Sequence, residues 1–477
     1  MKVLIKLLVF NIGVLVATGG YAQEEAANWR WQQPLQQDIA LLIGADTIAE
    51  PAKPLTDSST WWESFGYAGL DSLVEMARAH NIELKVAQSL VDQARAKRKI
   101  ALASMFPSIQ FEPSFVRQGL SANRPNPFGG QLDAVTFSTY ELPLTLSYEL
   151  DVFGKNNDQV LANTLISQAT EEQRRNVMLQ IVSEVAQNYF LILQLDAEND
   201  LLENTLETRR NNLDITSTRH EAGLVSQIDV LRAKTELSSI EVQLKNNSQL
   251  RAEIELVLAT LSGQDATEFR IPHTRIKYLP PAIMFLEKDS LAGLRPDLKA
   301  AKLFLESNEK LVRSQKKQLL PSFYLDGAYG YLSGESANLT GDSSENWVVG
   351  VSASLPIFQG GKKRSEIQLR KSELEETEEL YNQQVLVSYQ QVENAYARLK
   401  WVHDQLLAQQ EFVAAAIDAA QLTRERYRKG LVNYLDVVDA DRQVLEAEQL
   451  SVQLFGQELV GRVGLIRALG IAPDSSL

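Results

Sequence analysis

Cysteine is absent from this 477-residue sequence. In an exported chain that absence excludes disulfides, thiolate metal sites and a lipid-modified N-terminal cysteine, so any hold on a membrane has to come from the protein surface itself. Histidine is scarce: His80, His220, His273 and His403 are scattered, with neither the i, i+4 spacing nor the cysteine companions of a zinc site, and they are read as surface or core residues. There is no nucleophile elbow, phosphate-cradling glycine loop or dinucleotide fingerprint, so no catalytic residue, metal or cofactor is assigned and the chain is not read as an enzyme. Excess positive charge is also missing. The formal net charge of −14 argues against a nucleic-acid partner. Beyond residue 22 no apolar run approaches the ~20 residues of a spanning helix, which leaves alternating strands as the only route for further membrane contact.

What is present begins with Lys2 and Lys6 ahead of an apolar run from Leu7 to Ala17, then small residues at Gly20 and Ala22. This pattern predicts a secretory signal at 1–22. The 44% apolar content supports a large buried core. The expected divisions are an N-terminal extension and equatorial segment (23–80), a first repeat (81–263, with a strand pair at 108–153), a linker or equatorial segment (264–295), a second repeat (296–470, with a strand pair at 322–358) and a tail (471–477).

The two repeats are visible when the chain is compared with itself. ELKVAQSLVDQARAKRKIALASMFPS from 83 to 108 aligns with DLKAAKLFLESNEKLVRSQKKQLLPS from 297 to 322, pairing Leu84 with Leu298 and Pro107 with Pro321. RHEAGLVSQIDVLRA from 219 aligns with RYRKGLVNYLDVVDA from 426. A long repeat present twice points to two copies of one supersecondary unit that bury their faces on each other. Length differences fall between these blocks, as expected of surface loops.

After Pro107 the pattern alternates: Tyr140, Leu142, Leu144, Leu146, Tyr148 and Leu150 are set against Glu141, Thr145, Ser147 and Glu149. Trp347, Val349, Val351 and Ala353 repeat it in the second copy. These are strands with one apolar face, and polar turns at 120–135 and 333–345 separate the pairs. The aromatics Phe111, Phe115, Tyr140, Tyr148, Tyr329 and Trp347 fit either the core of a soluble sheet or a membrane girdle, and the export signal with unclosed strands favours the girdle.

Most of the rest reads as helix. A heptad run of Val385, Val392, Leu399, Leu406, Val413, Ala420 and Tyr427 predicts coiled-coil packing, with a second seam beginning at Tyr389 and Tyr396. A helix over 158–219 would reach ~90 Å, as would shorter helices 81–105 and 227–262 laid end to end, and 362–426 against 296–320 plus 434–469 repeats the arithmetic. Four strands cannot close a barrel and open edges cannot face lipid, so several chains must share one. Eight strands from a dimer leave a filled interior, and twelve from a trimer leave a lumen.

The opening WWESFGYAGLDSLVEMARAHNIELKVA, the phrase SYELDVFGK at 147–155, GLVSQIDVLRA at 223–233 and its echo GLVNYLDVVDA at 430–440 resemble the TolC-like outer-membrane factors, closest to the branch that serves resistance-nodulation-division pumps. The resemblance spans roughly residues 60 to 470. It implies an α+β membrane protein of a Gram-negative bacterium: a homotrimer with a 12-stranded β-barrel in outer-membrane lipid, four strands per chain, continued by a long α-helical barrel across the periplasm. It implies an efflux duct working with a periplasmic adaptor and an inner-membrane pump. By the same resemblance Gly223, Leu224, Val225, Gly430, Leu431 and Val432 are docking tips, Asp436 and Asp439 ring the aperture, and Tyr427 hydrogen-bonds Asp229 in a closed state. Val225 and Val432 depart from members that carry a basic residue two places after the tip glycine. Type I protein secretion shares this architecture, while a periplasmic adaptor or a coiled-coil scaffold would share only the helices.

Overall fold

The computed structural model of the chain describes residues 58–125, 127, 129–276 and 295–473. The signal at 1–22, most of the N-terminal extension and part of the 264–295 segment lie outside the described residues. A short 3-10 segment, Ser58–Phe65, leads into α1 (Ala68–His80) and α2 (Ile82–Ala103). Asn81 divides the two helices. Its side-chain oxygen accepts from the Leu84 amide at 3.1 Å, capping α2, while its Nδ2 donates to the Leu261 carbonyl at 2.9 Å.

The sheet follows as β1 (Ser108–Phe111), β2 (Ser114–Leu120) and β3 (Val135–Leu150). The strand expected after Pro107 is thus broken in two at Glu112 and Pro113, where proline has no amide to donate, and both pieces pair with β3. β4 (Ser322–Ser333) and β5 (Glu345–Ser354) complete an antiparallel ribbon of four strand widths, ordered β1/β2, β3, β4, β5.

Register then decides the faces. Leu144 pairs with Phe111 on one side and Tyr329 on the other, Tyr329 pairs with Trp347, and Tyr148, Leu325 and Val351 form another row. The apolar alternations of all strands therefore share one face. Phe111, Phe115, Tyr329 and Trp347 are exposed there, and Phe115 stacks on Tyr140 at 4.7 Å between ring centroids. Pro143 sits inside the central strand opposite Gly330, where a Cβ would overlap the Leu142 carbonyl oxygen. Only glycine lets β4 approach β3 so closely.

Two 67-residue helices dominate the remainder: α3 (Lys155–Glu221) and, further on, α6 (Lys362–Arg428), each ~100 Å long. The shorter α4 (Gln227–Leu261), α5 (Pro296–Lys317) and α7 (Tyr434–Leu469) lie alongside. α3 packs against α2 and α4 on one flank and α5 and α7 on the other, while α6 packs against α5 and α7. The result is a slab of four helical rows. Arg295 splices one row end to end, its guanidinium donating to the Ala468 carbonyl of α7 at 2.6 Å and to Asp297 of α5 at 2.7 Å.

The first heptad seam of α6 is buried from Leu399 through Leu406 and Val413 to Ala420. The second is not where the aromatics suggested. Tyr389 is exposed, and the buried companions are Ser388, Val402, Gln409 and Ala416, one register earlier. Ala416 packs with Val413 against Ala447 of α7, and Gln409 donates to the Ala447 carbonyl at 2.8 Å.

The main core lies at mid-height. Trp61, Trp62, Phe65 and Tyr67 pack with α1 against Val185, Tyr189 and Phe190 of α3 and Leu459 and Val463 of α7. Residues 271–276 are strapped on by Arg251, which donates to Asp196 at 2.6 Å and to the Ile271 carbonyl at 2.8 Å. Among the described residues no helix is long and apolar enough to cross a membrane.

Candidate functional site

The end of the slab farthest from the sheet is made by two helix hairpins of the same construction. At the first, Gly223 has φ +73°, its amide donates to His220 at 2.8 Å, and the Leu224 amide reaches back to the Arg219 carbonyl at 2.9 Å. At the second, Gly430 has φ +74°, its amide donates to Tyr427 at 2.9 Å, and Leu431 reaches Arg426 at 2.9 Å. The left-handed glycine satisfies the last carbonyls of the long helix and reverses the chain in three residues. Leu224 is 74% exposed and Leu431 64%, so both turns hold an apolar side chain out in water, beside the half-buried Val225 and Val432. At the first tip the His220 ring nitrogen also lies 3.0 Å from the Val225 carbonyl, a stitch that the scattered histidines gave no reason to expect.

Each descending helix starts with a capping box. Ser226 and Asp229 serve α4, the Asp229 carboxylate accepting from the Ser226 amide at 3.2 Å. Asn433 and Asp436 serve α7, with Asn433 Oδ1 accepting from the Asp436 amide at 3.1 Å and the Asp436 carboxylate accepting from the Asn433 amide at 3.0 Å. Asp439 lies three residues later, on the same helix face as Asp436, and both are exposed.

The hydrogen bond expected between Tyr427 and Asp229 is not formed within the chain. Asp229 stands at the third helical position of α4, where the helix start claims its carboxylate, and Arg232 lies 3.8 Å away. The Tyr427 ring instead lies 5.9 Å from the Tyr434 ring and 5.8 Å from the Arg219 guanidinium.

The hairpins are joined by charges that the sequence did not single out. Asp441 on α7 accepts from Arg209 of α3 at 3.0 Å and from Arg424 of α6 at 2.7 Å. One residue on, Arg442 pairs with Glu236 of α4, and farther from the tip Gln449 donates to Gln243 at 3.0 Å. Burial raises the Tyr434 phenol above its ordinary pKa against the opposing effect of a Thr216 hydrogen bond, and Asp441 adds to the rise. The only sequence sign of this cluster was Asp441 standing among apolar positions of α7.

Higher on the slab, α3, α5 and α6 border a cleft of about 970 Å³ lined largely by carboxamides, among them Gln173, Asn176, Asn308, Gln384, Gln391 and Asn394. Such a wall is polar without a dominant charge. Asp297 at its edge is pushed up by burial, yet the Arg295 guanidinium and a Gln384 hydrogen bond hold its carboxyl below the ordinary value. Among the described residues no group of three or more His, Cys, Asp or Glu side chains is placed to hold a metal ion.

Comparison with known proteins places these features in context. The profile described as outer membrane efflux protein matches residues 73–264 and 289–471. The pyoverdine export outer membrane protein OpmQ of Pseudomonas putida is 28% identical over 430 residues, which cover 88% of this chain and 90% of that protein. The probable efflux pump outer membrane protein TtgC of the same organism is 28% identical, covering 86% of this chain and 84% of its own length. Among solved structures, the outer-membrane channel OprN superposes with a TM-score of 0.81 at 26% identity, covering 88% of this chain and 94% of the channel.

Proposed function

We propose, from the premise that this chain belongs to the outer membrane efflux protein family, that three copies assemble into one duct, a twelve-stranded barrel continued by a helical tunnel. The chain is an outer-membrane efflux component, a passive conduit and not an enzyme. The observation that carries the trimer is the four-strand ribbon with one continuous apolar face and two open edges, on β1/β2 and on β5. Open edges are excluded from lipid, and twelve strands are the smallest threefold set that closes around a lumen.

The other end supplies the docking reading. Leu224 with Val225 and Leu431 with Val432, presented by the Gly223 and Gly430 turns, offer apolar contacts to helices of a periplasmic adaptor, itself bound to an inner-membrane pump. Threefold symmetry would gather the exposed Asp436 and Asp439 of each copy into six carboxylates at the entrance, which favours cations over anions. The 120–135 and 333–345 turns then face the outside of the cell.

Mass measurement on protein extracted from outer membranes in mild detergent tests the assembly. Three chains per particle is the expected outcome, and a monomer or a dimer overturns it.

A further inference from the structure

Where the helices meet the sheet, the slab carries a band of exposed cations in a chain that is acidic overall. Arg95, Arg98 and Lys99 lie near the end of α2, Arg313 and Lys316 near the end of α5, and Arg364 at the start of α6, and all six are exposed. Counted along each helix, they fall within ~12 Å of the terminus that joins the sheet.

These cations also share one side of the slab. Gln173 and Asn176 of α3 face the carboxamide cleft, and Glu171, two residues before Gln173, is turned ~200° from it. Arg95 reaches that averted side, donating to Glu171 at 3.2 Å, and Arg98 and Lys99 follow it on the same face of α2 at three and four residues. On α5, Phe304 lines the cleft and Arg313 stands nine residues later, two and a half turns on and therefore opposite, while Lys316, three residues farther, lies on the flank between the two. On α6, Thr377 lines the cleft and Arg364 precedes it by thirteen residues, again more than half a turn out of phase. The side away from the cleft is also the side on which α1 and the 3-10 segment pack, through Val182, Val185 and Tyr189.

Arg95 has partners in Glu171 and Asp92. Among the described residues Arg98, Lys99, Arg313, Lys316 and Arg364 make no ion pair. Between this band and the strands stands an apolar collar, with Phe106 and Val152 each 63% exposed, Ile357 92% and Phe358 89%. Apolar sheet, collar and cations thus follow one another along the outside of the protein. That order matches acyl chains, then the boundary, then phosphates, with long basic side chains reaching from an apolar stem to a polar headgroup.

We propose that this band is a phospholipid-headgroup surface that engages the phosphates of anionic phospholipids in the periplasmic leaflet of the outer membrane. It rests on the sheet lying in that membrane. Intact protein is reconstituted into bilayers containing spin-labelled phosphatidylglycerol or phosphatidylcholine, and the motionally restricted lipid fraction is measured for each. Phosphatidylglycerol should associate about threefold or more strongly than phosphatidylcholine at low salt, with the preference collapsing toward unity in ~1 M salt. Replacing Arg98, Lys99, Arg313, Lys316 and Arg364 with Gln should remove the preference while leaving the restricted fraction itself in place. Equal association of the two lipids with the unaltered protein, or a preference that survives either high salt or the substitutions, overturns the proposal. A different result, no restricted lipid of either kind, would instead refute the bilayer location of the sheet.

Discussion

Arg209 and Asp441 stand 232 positions apart in the chain and meet at 3.0 Å, each side chain only 5% exposed. The contact ties α3 of the first hairpin to α7 of the second, and Arg424 of α6 completes it from the solvent side at 2.7 Å. Removing one partner of a buried pair strands the other charge, at a cost of about 3–5 kcal/mol. Asp441→Asn should therefore loosen the tip end and raise single-channel conductance in planar bilayers. Arg424→Gln, at a side chain 45% exposed, should have the smaller effect. Conductance unchanged by Asp441→Asn would remove this cluster from closure.

Leu224→Asp combined with Leu431→Asp should abolish efflux-dependent resistance in a strain relying on this protein. The two side chains are 74% and 64% exposed, so their loss takes little from the fold. Detergent-extracted oligomer should remain at the unaltered level. Full resistance with both aspartates in place would rule out docking at these turns.

The pattern of legibility follows from where each signal lies. Strand faces were readable because period-two alternation survives in every strand, and the registers that bring Leu144, Tyr329 and Trp347 together use it. The helix hairpins were readable because a glycine followed by Leu-Val and a helix-capping residue recurs in both copies. The break at Pro113 was missed because β1 and β2 still alternate across it. The second seam of α6 was misplaced because tyrosines dominate an apolar reading, whereas the positions buried beside the first seam include the polar Ser388 and Gln409, and Gln409 is turned inward by its hydrogen bond to Ala447. Asp441 stood out among apolar positions of α7, but its partner Arg209 could not be read, since nothing local links charges in different repeats. Tyr427 and Asp229 were paired by family likeness alone, and within the single chain the Asp229 carboxylate caps α4.

Asp71, at the start of α1, has its pKa raised from 3.8 to about 6, first by burial and then by Glu63 and Glu75 nearby. The folded chain thus holds this proton more tightly than the unfolded one. Ionised Asp71 opposes folding above about pH 6, and the penalty fades as pH falls toward its unfolded value. Asp71→Asn should raise the melting temperature near pH 8 and leave it unchanged below about pH 4. An equal effect at both pH values would show that charge is not the cause.

An epitope inserted at 120–135 or at 333–345 should be reached by antibody on intact cells. Both segments link paired strands at the end of the sheet away from the helices. Labelling only after permeabilisation would invert the topology.

The most direct test of the duct is conduction by the purified oligomer in a planar bilayer under a potassium chloride gradient. The unaltered protein should give discrete steps and a cation-selective reversal potential. Asp436→Asn with Asp439→Asn should preserve the steps and shift the reversal potential toward zero, because asparagine keeps the hydrogen bond that Asp436 accepts from the Asn433 amide while removing its charge. Steps with unchanged selectivity would remove the carboxylate ring, and the absence of any conductance from correctly assembled oligomer would contradict the duct itself.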